Sequence, residues 1–246
     1  MKLLAQIEEK IREGMRSSCD DTFLFLEDES QKIGAEYLLT VNVAKKLAEL
    51  NQYIGHPYKI YLERSTKLIA SDCVPLFGRK AANNFLGYRQ VHRRWHNTSR
   101  NGKADIALYN NTGGLSDTPV CVIELKGFDP SRMNVLHDLK RNAEYFWLVC
   151  QTGASQLQYT CFAAMHSFTR SITDEQIKVD LSSLQRKYSN WQAGVGLPSN
   201  VSYRINVDTI SKGLDLSYPD QDNLEVTELE SNHHFAGVVI SYSRQI

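Results

Sequence analysis

A mixed α/β or α+β domain is predicted from three features of the sequence. Two helical patterns open the chain, strand-like apolar runs then alternate with further helical patterns, and the overall composition is that of an ordinary globular protein. With 246 residues, 42% hydrophobic and 23% charged, the chain suits one large domain or two small ones and can bury a sizeable core.

Leu4, Ile7, Ile11 and Met15 recur at helical spacing over residues 2–16, an amphipathic helix expected to close at Ser17-Ser18. QKIGAEYLLTVNVAKKLAEL (31–50) predicts a second helix. Asn42, Lys45, Lys46 and Glu49 would form its polar face, and Ile33, Tyr37, Val41, Val43, Ala44, Leu47 and Leu50 a broad apolar surface. PYKIYLERS (57–65) alternates like a strand, and KADIALYN (103–110) is another. TPVCVIELKG (118–127) is the near-continuous apolar run expected of a strand covered on both faces. Asp129-Pro130 then carries two helix-start signals, a capping carboxylate and a proline at the first helical position. That helix is expected to reach about Cys150 and to bury Leu136, Leu139, Ala143 and Phe146. LQYTCFAAMHS predicts a strand, Thr173 to Tyr188 a helix, and SYRINVDTI and FAGVVISYS two closing strands. The Asp- and Glu-rich stretch after Ser211 predicts a long surface connection, and no internal repeat is present.

Lys plus Arg equals Asp plus Glu at 28 each, so net charge points to no partner, but the distribution is uneven. Arg79 to Lys103 holds seven Lys/Arg, two His and no carboxylate, whereas Asp215 to Glu230 holds six carboxylates and no Lys or Arg. Phe85, Tyr88 and Trp95 are interleaved with the basic residues, a mixture suited to phosphates and stacked bases. Arg89, Arg93, Arg94, Trp95, Arg100 and Lys103 are therefore the candidate nucleic-acid contacts, set against the alternative of a merely solvated surface. The five cysteines are odd in number, widely spaced and lack a CxxC pair, which predicts reduced thiols, with Cys121, Cys150 and Cys161 in the core. The charged N-terminus resembles neither a signal peptide nor a membrane span, and no apolar run approaches bilayer length. The expectation is a soluble, cytoplasmic protein with no membrane partner. No Gly-rich phosphate loop, Ser or Cys nucleophile motif or zinc spacing is visible. His233-His234 reads as surface, His137 and His166 as isolated, and Met165 and Cys161 as core.

The chemistry-bearing feature is VCVIELKG (120–127). Side chains alternate on an extended chain, so Glu124 and Lys126 project to one side at the end of an apolar strand, just before Gly127 is expected to turn the chain. Strand ends are where α/β sheets build their sites. The preceding strand carries Asp105 among Ala104, Ile106, Ala107 and Leu108, a costly place for a carboxylate without a partner or metal. Glu36 aligns on its helix with Thr40, Val43 and Leu47, so it is expected to face inward and to need a partner. The acid-x-Lys tripeptide alone says little, since Glu8-Glu9-Lys10 and Asp138-Leu139-Lys140 repeat it on helices. A plain salt bridge at a strand end is the competing account.

Taken together, Asp105 on one strand, Glu124-x-Lys126 on the next and a helix afterwards resemble the PD-(D/E)XK nuclease superfamily. The resemblance implies a restriction-endonuclease-like αβββαβ core with a central mixed sheet flanked by helices. It covers roughly residues 30–165 of the sequence, with a helical segment over 1–30, the core over 31–170 and a helix/strand extension over 171–246 packed on the same domain. It departs from the pattern where Ala104 replaces the proline and where residues 66–98 form an insertion. By resemblance, Asp105, Glu124 and the Leu125 carbonyl would ligate Mg²⁺, with Mn²⁺ able to substitute, and Lys126 would orient or help deprotonate the attacking water. Glu36 would join through water or help hold a second ion. Asp138, Arg141, Asn142 and Tyr145 share a face of the following helix with Lys140 at its margin, and Lys140 and Arg141 are candidate phosphate contacts. A solvated helix face is the alternative for that group.

The implied function is a metal-dependent nuclease, with DNA as the expected substrate, of a bacterial or phage restriction, defence or repair system. A homodimer or an activating protein partner is compatible with it. The alternative is a catalytically silent or partner-activated nucleic-acid-binding subunit with the same fold.

Overall fold

The stripe of Leu4, Ile7, Ile11 and Met15 continues one step further to Cys19, all five buried, and helix α1 (Lys2–Phe25) continues with it. The expected stop at Ser17-Ser18 is therefore overridden, because burial along the stripe outweighs the weak helix preference of serine. The structure, a computed structural model, describes residues 2–25, 35–52, 55–74, 102–111, 117–150, 153–168, 173–212 and 234–245. The expected basic run over 79–100, with Arg89, Arg93, Arg94, Trp95 and Arg100, lies outside the described residues. So do the acidic stretch 215–230, Ile33 and His233.

Helix α2 (Ala35–Ala48) ends in a tight turn at Glu49–Asn51 and packs closely on α1. Gly14 permits that approach: a Cβ there would stand 2.6 Å from the Val43 Cα. Gly237 does the same on the sheet side, where a Cβ would meet the Met15 sulfur at 2.7 Å. The α1–α2 packing places two residues of α2 differently from expectation. Asn42, assigned to the polar face, is buried and donates to Asp21 of α1 at 2.7 Å, while Tyr37, assigned to the apolar surface, is 68% exposed. Packing against α1 rotates the buried face toward Asn42 and away from Tyr37.

The strands are β1 (Tyr58–Ser65), β2 (Lys103–Asn110), β3 (Thr118–Phe128), the short pair β4 (Val149–Cys150) and β5 (Gly153–Ala154), then β6 (Tyr159–Phe168), β7 (Val201–Lys212) and β8 (His234–Arg244). Helix α3 (Thr66–Asp72) lies between β1 and β2, inside the expected insertion. Helices α4 (Arg132–Trp147) and α5 (Asp174–Gln192) follow β3 and β6. Six strands form one mixed sheet in the order β1-β2-β3-β6-β8-β7, in which only β3 and β6 run parallel. A parallel pair needs a crossover, and α4 belongs to it.

Alternation along β3 and β6 sends Cys121, Ile123, Leu125, Cys161, Ala163 and Met165 toward α1 and α2, where Ile7, Ile11, Leu39, Val43 and Leu47 cover them. The other face carries Phe162, Ala164, Val238 and Ile240 under Val135, Leu139, Ala143 and Phe146 of α4 and Leu184 and Tyr188 of α5. The central strands are thus covered on both sides, as their apolar run predicts. The free thiols of Cys121 and Cys161 lie 3.8 Å apart in this core. Among the described residues no helix is long and apolar enough to cross a membrane.

Four local expectations are corrected. β3 does not turn at Gly127: it continues to Phe128 with a register shift between Lys126 and Phe128. The cap of α4 is Ser131, whose Oγ accepts the Asn134 N–H at 3.3 Å, while Asp129 adopts a left-handed φ of 50° and turns its carboxylate to His166 and Ser167. The helix also stops at Trp147, where Leu148 goes extended into β4. His234, taken as surface, is buried, stacked on Phe168 and bonded to Thr209.

Candidate active site

Past a register shift between Leu108 and Tyr109, β2 and β3 pair as far as Ile106 with Ile123, and continuing that register sets Asp105 opposite Glu124 where the ladder ends. Asp105 takes over the ladder's role there, its Oδ2 accepting the Leu125 N–H at 2.6 Å. Burial pushes the Asp105 carboxyl up to about 6. The Leu125 N–H and the Lys126 charge pull it back down, and the charges of Glu36 and Glu63 add to the rise.

Glu124 and Lys126 lie on the α4 side of β3, opposite in orientation to Leu125. The Lys126 Nζ donates to Glu36 Oε1 at 2.9 Å and to the Leu125 carbonyl at 3.0 Å, and lies 3.6 Å from Asp138 Oδ2. Burial alone would lower its pKa, but Glu36, Asp138 and Asp105 outweigh that and hold it above the ordinary lysine value.

Glu36 reaches Lys126 from the first turn of α2, yet it does not face the interior as expected: its side chain is half exposed.

On α4, the face expected as solvated or substrate-binding is mostly buried against the sheet. Asn142 donates to the Cys161 carbonyl at 2.9 Å, and Tyr145 is buried. Arg141 lies 3.2 Å from Asp138, 3.6 Å from Glu124 and 3.4 Å from the Lys103 carbonyl. Lys140 points to the exposed side, away from these groups. Lys103 is exposed at the start of β2, 3.7 Å from Glu63.

Two acids join the sequence-derived set. Asp138, its side chain 4% exposed, stands between Lys126 and Arg141. Glu63 of β1 lies opposite Asp105 by the register of its neighbours Leu62 and Arg64, and holds a left-handed φ of 51°. Asp138 carried a signal in the shared helix face with Arg141, whereas Glu63 carried none, since its strand alternates without interruption.

Among the described residues, Lys126 and Arg141 are the cations placed beside Glu36, Asp105, Glu124 and Asp138. Among the described residues no three His, Cys, Asp or Glu side chains form a ready ligand set for one ion. Mg²⁺ needs fewer, since it keeps several waters and takes one or two carboxylates along with substrate phosphate. The hard oxygens of Asp105, Glu124 and the Leu125 carbonyl, in a cluster where carboxylates outnumber cations among the described residues, fit such an ion.

A second polar cluster lies where β6 ends. His166 bonds Asp129 through Nδ1 and Tyr188 through Nε2, each at 2.8 Å, and Ser167 Oγ donates to Asp129 at 2.7 Å. No protein family, curated protein or solved structure matches this chain.

Proposed function

We propose that this protein is a metal-dependent nuclease of the PD-(D/E)XK type that hydrolyses phosphodiester bonds, with DNA as substrate. One observation carries the reading: Asp105 and Glu124, set opposite each other by the β2–β3 register, lie beside Lys126 in a cluster where, among the described residues, carboxylates outnumber cations. The order α2, β1, β2, β3, α4, β6, interrupted by α3 and the β4–β5 pair and joined in a mixed sheet, supports it as the αβββαβ core the resemblance implies.

Asp105, Glu124 and the Leu125 carbonyl would hold Mg²⁺ or Mn²⁺. When bound, such an ion supplies an activated water and offsets charge developing on the phosphate. The protein's own groups do the rest. Lys126, held protonated, donates to the attacking water or a phosphate oxygen; with its pKa raised it is a poor proton acceptor at neutral pH. Glu36 fixes the direction of that ammonium through the 2.9 Å bond. Asp105, bonded to the Leu125 N–H, ties the first ligand strand to the second.

The test is incubation of purified protein with supercoiled plasmid, single-stranded DNA and RNA, in Mg²⁺, Mn²⁺ or EDTA, beside Lys126→Ala. Cutting that needs the metal and disappears in Lys126→Ala is expected. Absence of cutting of every substrate with either metal overturns the constitutive nuclease.

A further inference from the structure

We infer that Arg141 and Asp138 form a displaceable counter-ion pair for the metal ligand Glu124. Before a cation enters, the guanidinium is shared between Glu124 and Asp138; when one binds at Glu124, Arg141 shifts fully onto Asp138. This rests on the metal-dependent reading above and adds two positioning residues to it.

The geometry of Arg141 is that of a divided group. A guanidinium committed to one carboxylate forms a parallel fork with contacts near 2.7–2.9 Å. Arg141 instead places Nη1 3.2 Å from Asp138 Oδ1 and Nη2 3.6 Å from Glu124 Oε1, one carboxylate on each edge. Both carboxylates are nearly inaccessible, with side chains 4% and 3% exposed, so charge interactions among the three are only weakly screened. A divalent ion on Glu124 repels a guanidinium 3.6 Å away. Asp138 already holds the opposite edge of that guanidinium, so Arg141 stays paired after the shift.

Asp138 is suited to this because it does not belong to Arg141 alone. It lies 3.6 Å from Lys126 Nζ and faces the exposed His137 at 3.6 Å. Lys126 in turn is anchored elsewhere, on Glu36 at 2.9 Å, a contact that a metal at the Leu125 carbonyl leaves in place. The Asp138 carboxylate can therefore take more of Arg141 without releasing Lys126. The Lys103 carbonyl, 3.4 Å from Nη2, gives the guanidinium a fixed pivot on β2.

The test is Mn²⁺ affinity by isothermal titration calorimetry, without nucleic acid, for wild type, Arg141→Gln, Asp138→Asn and the double variant. Thermal unfolding serves as the fold control. Removing the competing cation in Arg141→Gln tightens Mn²⁺ by roughly tenfold, the scale of one poorly screened charge contact. Asp138→Asn leaves Arg141 on Glu124 and weakens Mn²⁺ by a comparable factor. In the double variant the Asp138→Asn penalty disappears, because the competitor it released is gone; independent electrostatic effects would simply add. Gain of affinity in Arg141→Gln is not a result that a damaged fold produces, so the inference stays testable even if Asp138→Asn folds poorly. Unchanged or weaker binding in Arg141→Gln, or an additive double variant, overturns it while leaving the nuclease reading intact. Failure of the wild type to take up Mn²⁺ at all removes the metal-dependent reading, and this inference with it.

Discussion

Where β6 ends, His166 sits between Asp129 and Tyr188 with both contacts at 2.8 Å, and Ser167 closes the other oxygen of Asp129 at 2.7 Å. At the ends of the neighbouring strands β2 and β3, Glu36, Asp105, Glu124 and Asp138 surround Lys126 and Arg141, and three of the ion contacts there are 3.2–3.6 Å long. In the first cluster donors and acceptors are matched one to one: burial keeps His166 neutral against the pull of Asp129, so one ring nitrogen donates to the carboxylate and the other accepts from the tyrosine. In the second, among the described residues, negative charge exceeds positive and the ion contacts of Asp138 and Arg141 are long. Matched, short bonds stabilise a scaffold; surplus charge held out of water stores the free energy that a cation and a phosphate would release on binding.

The largest effects should separate the two clusters by kind. Glu124→Gln is expected to cut cleavage by about 10³-fold, the scale on which single electrostatic groups in active sites act, while leaving the unfolding temperature unchanged or higher. Tyr188→Phe should do the reverse. It strips the His166 Nε2 of its donor in a buried position and should cost about 1–2 kcal/mol of stability with kcat unaltered. Steady-state cleavage beside urea unfolding of both variants decides the matter. Slower cleavage in Tyr188→Phe would break the division between scaffold and site.

Smaller, and opposite in sign between the clusters, are the effects of pH on stability. Asp105 is raised from 3.8 to about 6, so folding favours its protonated form. Its ionisation penalty is fully present above about pH 6 and fades as pH falls toward 4, amounting to ~2 kcal/mol for a shift of that size in a partly accessible group. His166 is lowered, so folding favours its neutral form; its contribution is intact above its unfolded value near 6.5 and is lost as pH drops below that. Asp105→Asn should therefore raise the unfolding temperature at pH 8 and scarcely change it at pH 4. His166→Gln should flatten the loss of stability below pH 6.5. Thermal unfolding from pH 4 to 8 tests both slopes, and an Asp105→Asn gain that persists unchanged to pH 4 would remove burial of the charge as the cause.

The contrast between the clusters also explains what could be read from residue order alone. Glu124 and Lys126 stand out because strand periodicity is two and their neighbours are apolar, and Asp105 stands out for the same reason. Asp138 is marked only by the helix face it shares with Arg141, because an acid on a helix reads as solvent-facing until α4 is packed against β3. Glu63 is hidden more deeply, since a left-handed backbone at one strand residue leaves no mark in an alternating sequence. The scaffold cluster was missed altogether. Asp129 shows the limit of local signals: Asp129 and Ser131 are both good caps two residues apart, and His166, far along the chain, claims the first. The length of α1 is set against its local signal for a similar reason, as Ser17-Ser18 favours a stop while Cys19 has a buried place only if the helix continues.

The smallest predicted effect tests that assignment of the two caps. Ser131→Ala removes the oxygen that accepts the Asn134 N–H and should cost about 1 kcal/mol, the usual worth of an N-cap. Asp129→Ala should cost more, because it frees His166 and Ser167 together and leaves an alanine at a φ of 50°. Cleavage should survive Ser131→Ala, since Asp138 and Arg141 lie beyond the first turn of α4, the part that frays when a cap is lost. Chemical denaturation of the two variants gives the order of stability, and the plasmid assay gives the activity. If Ser131→Ala instead abolished cutting in a protein that stayed folded, the first turn of α4 would be setting the positions of Asp138 and Arg141. Scaffold and site would then be one mechanical unit, joined through the few residues between Lys126 and Ser131.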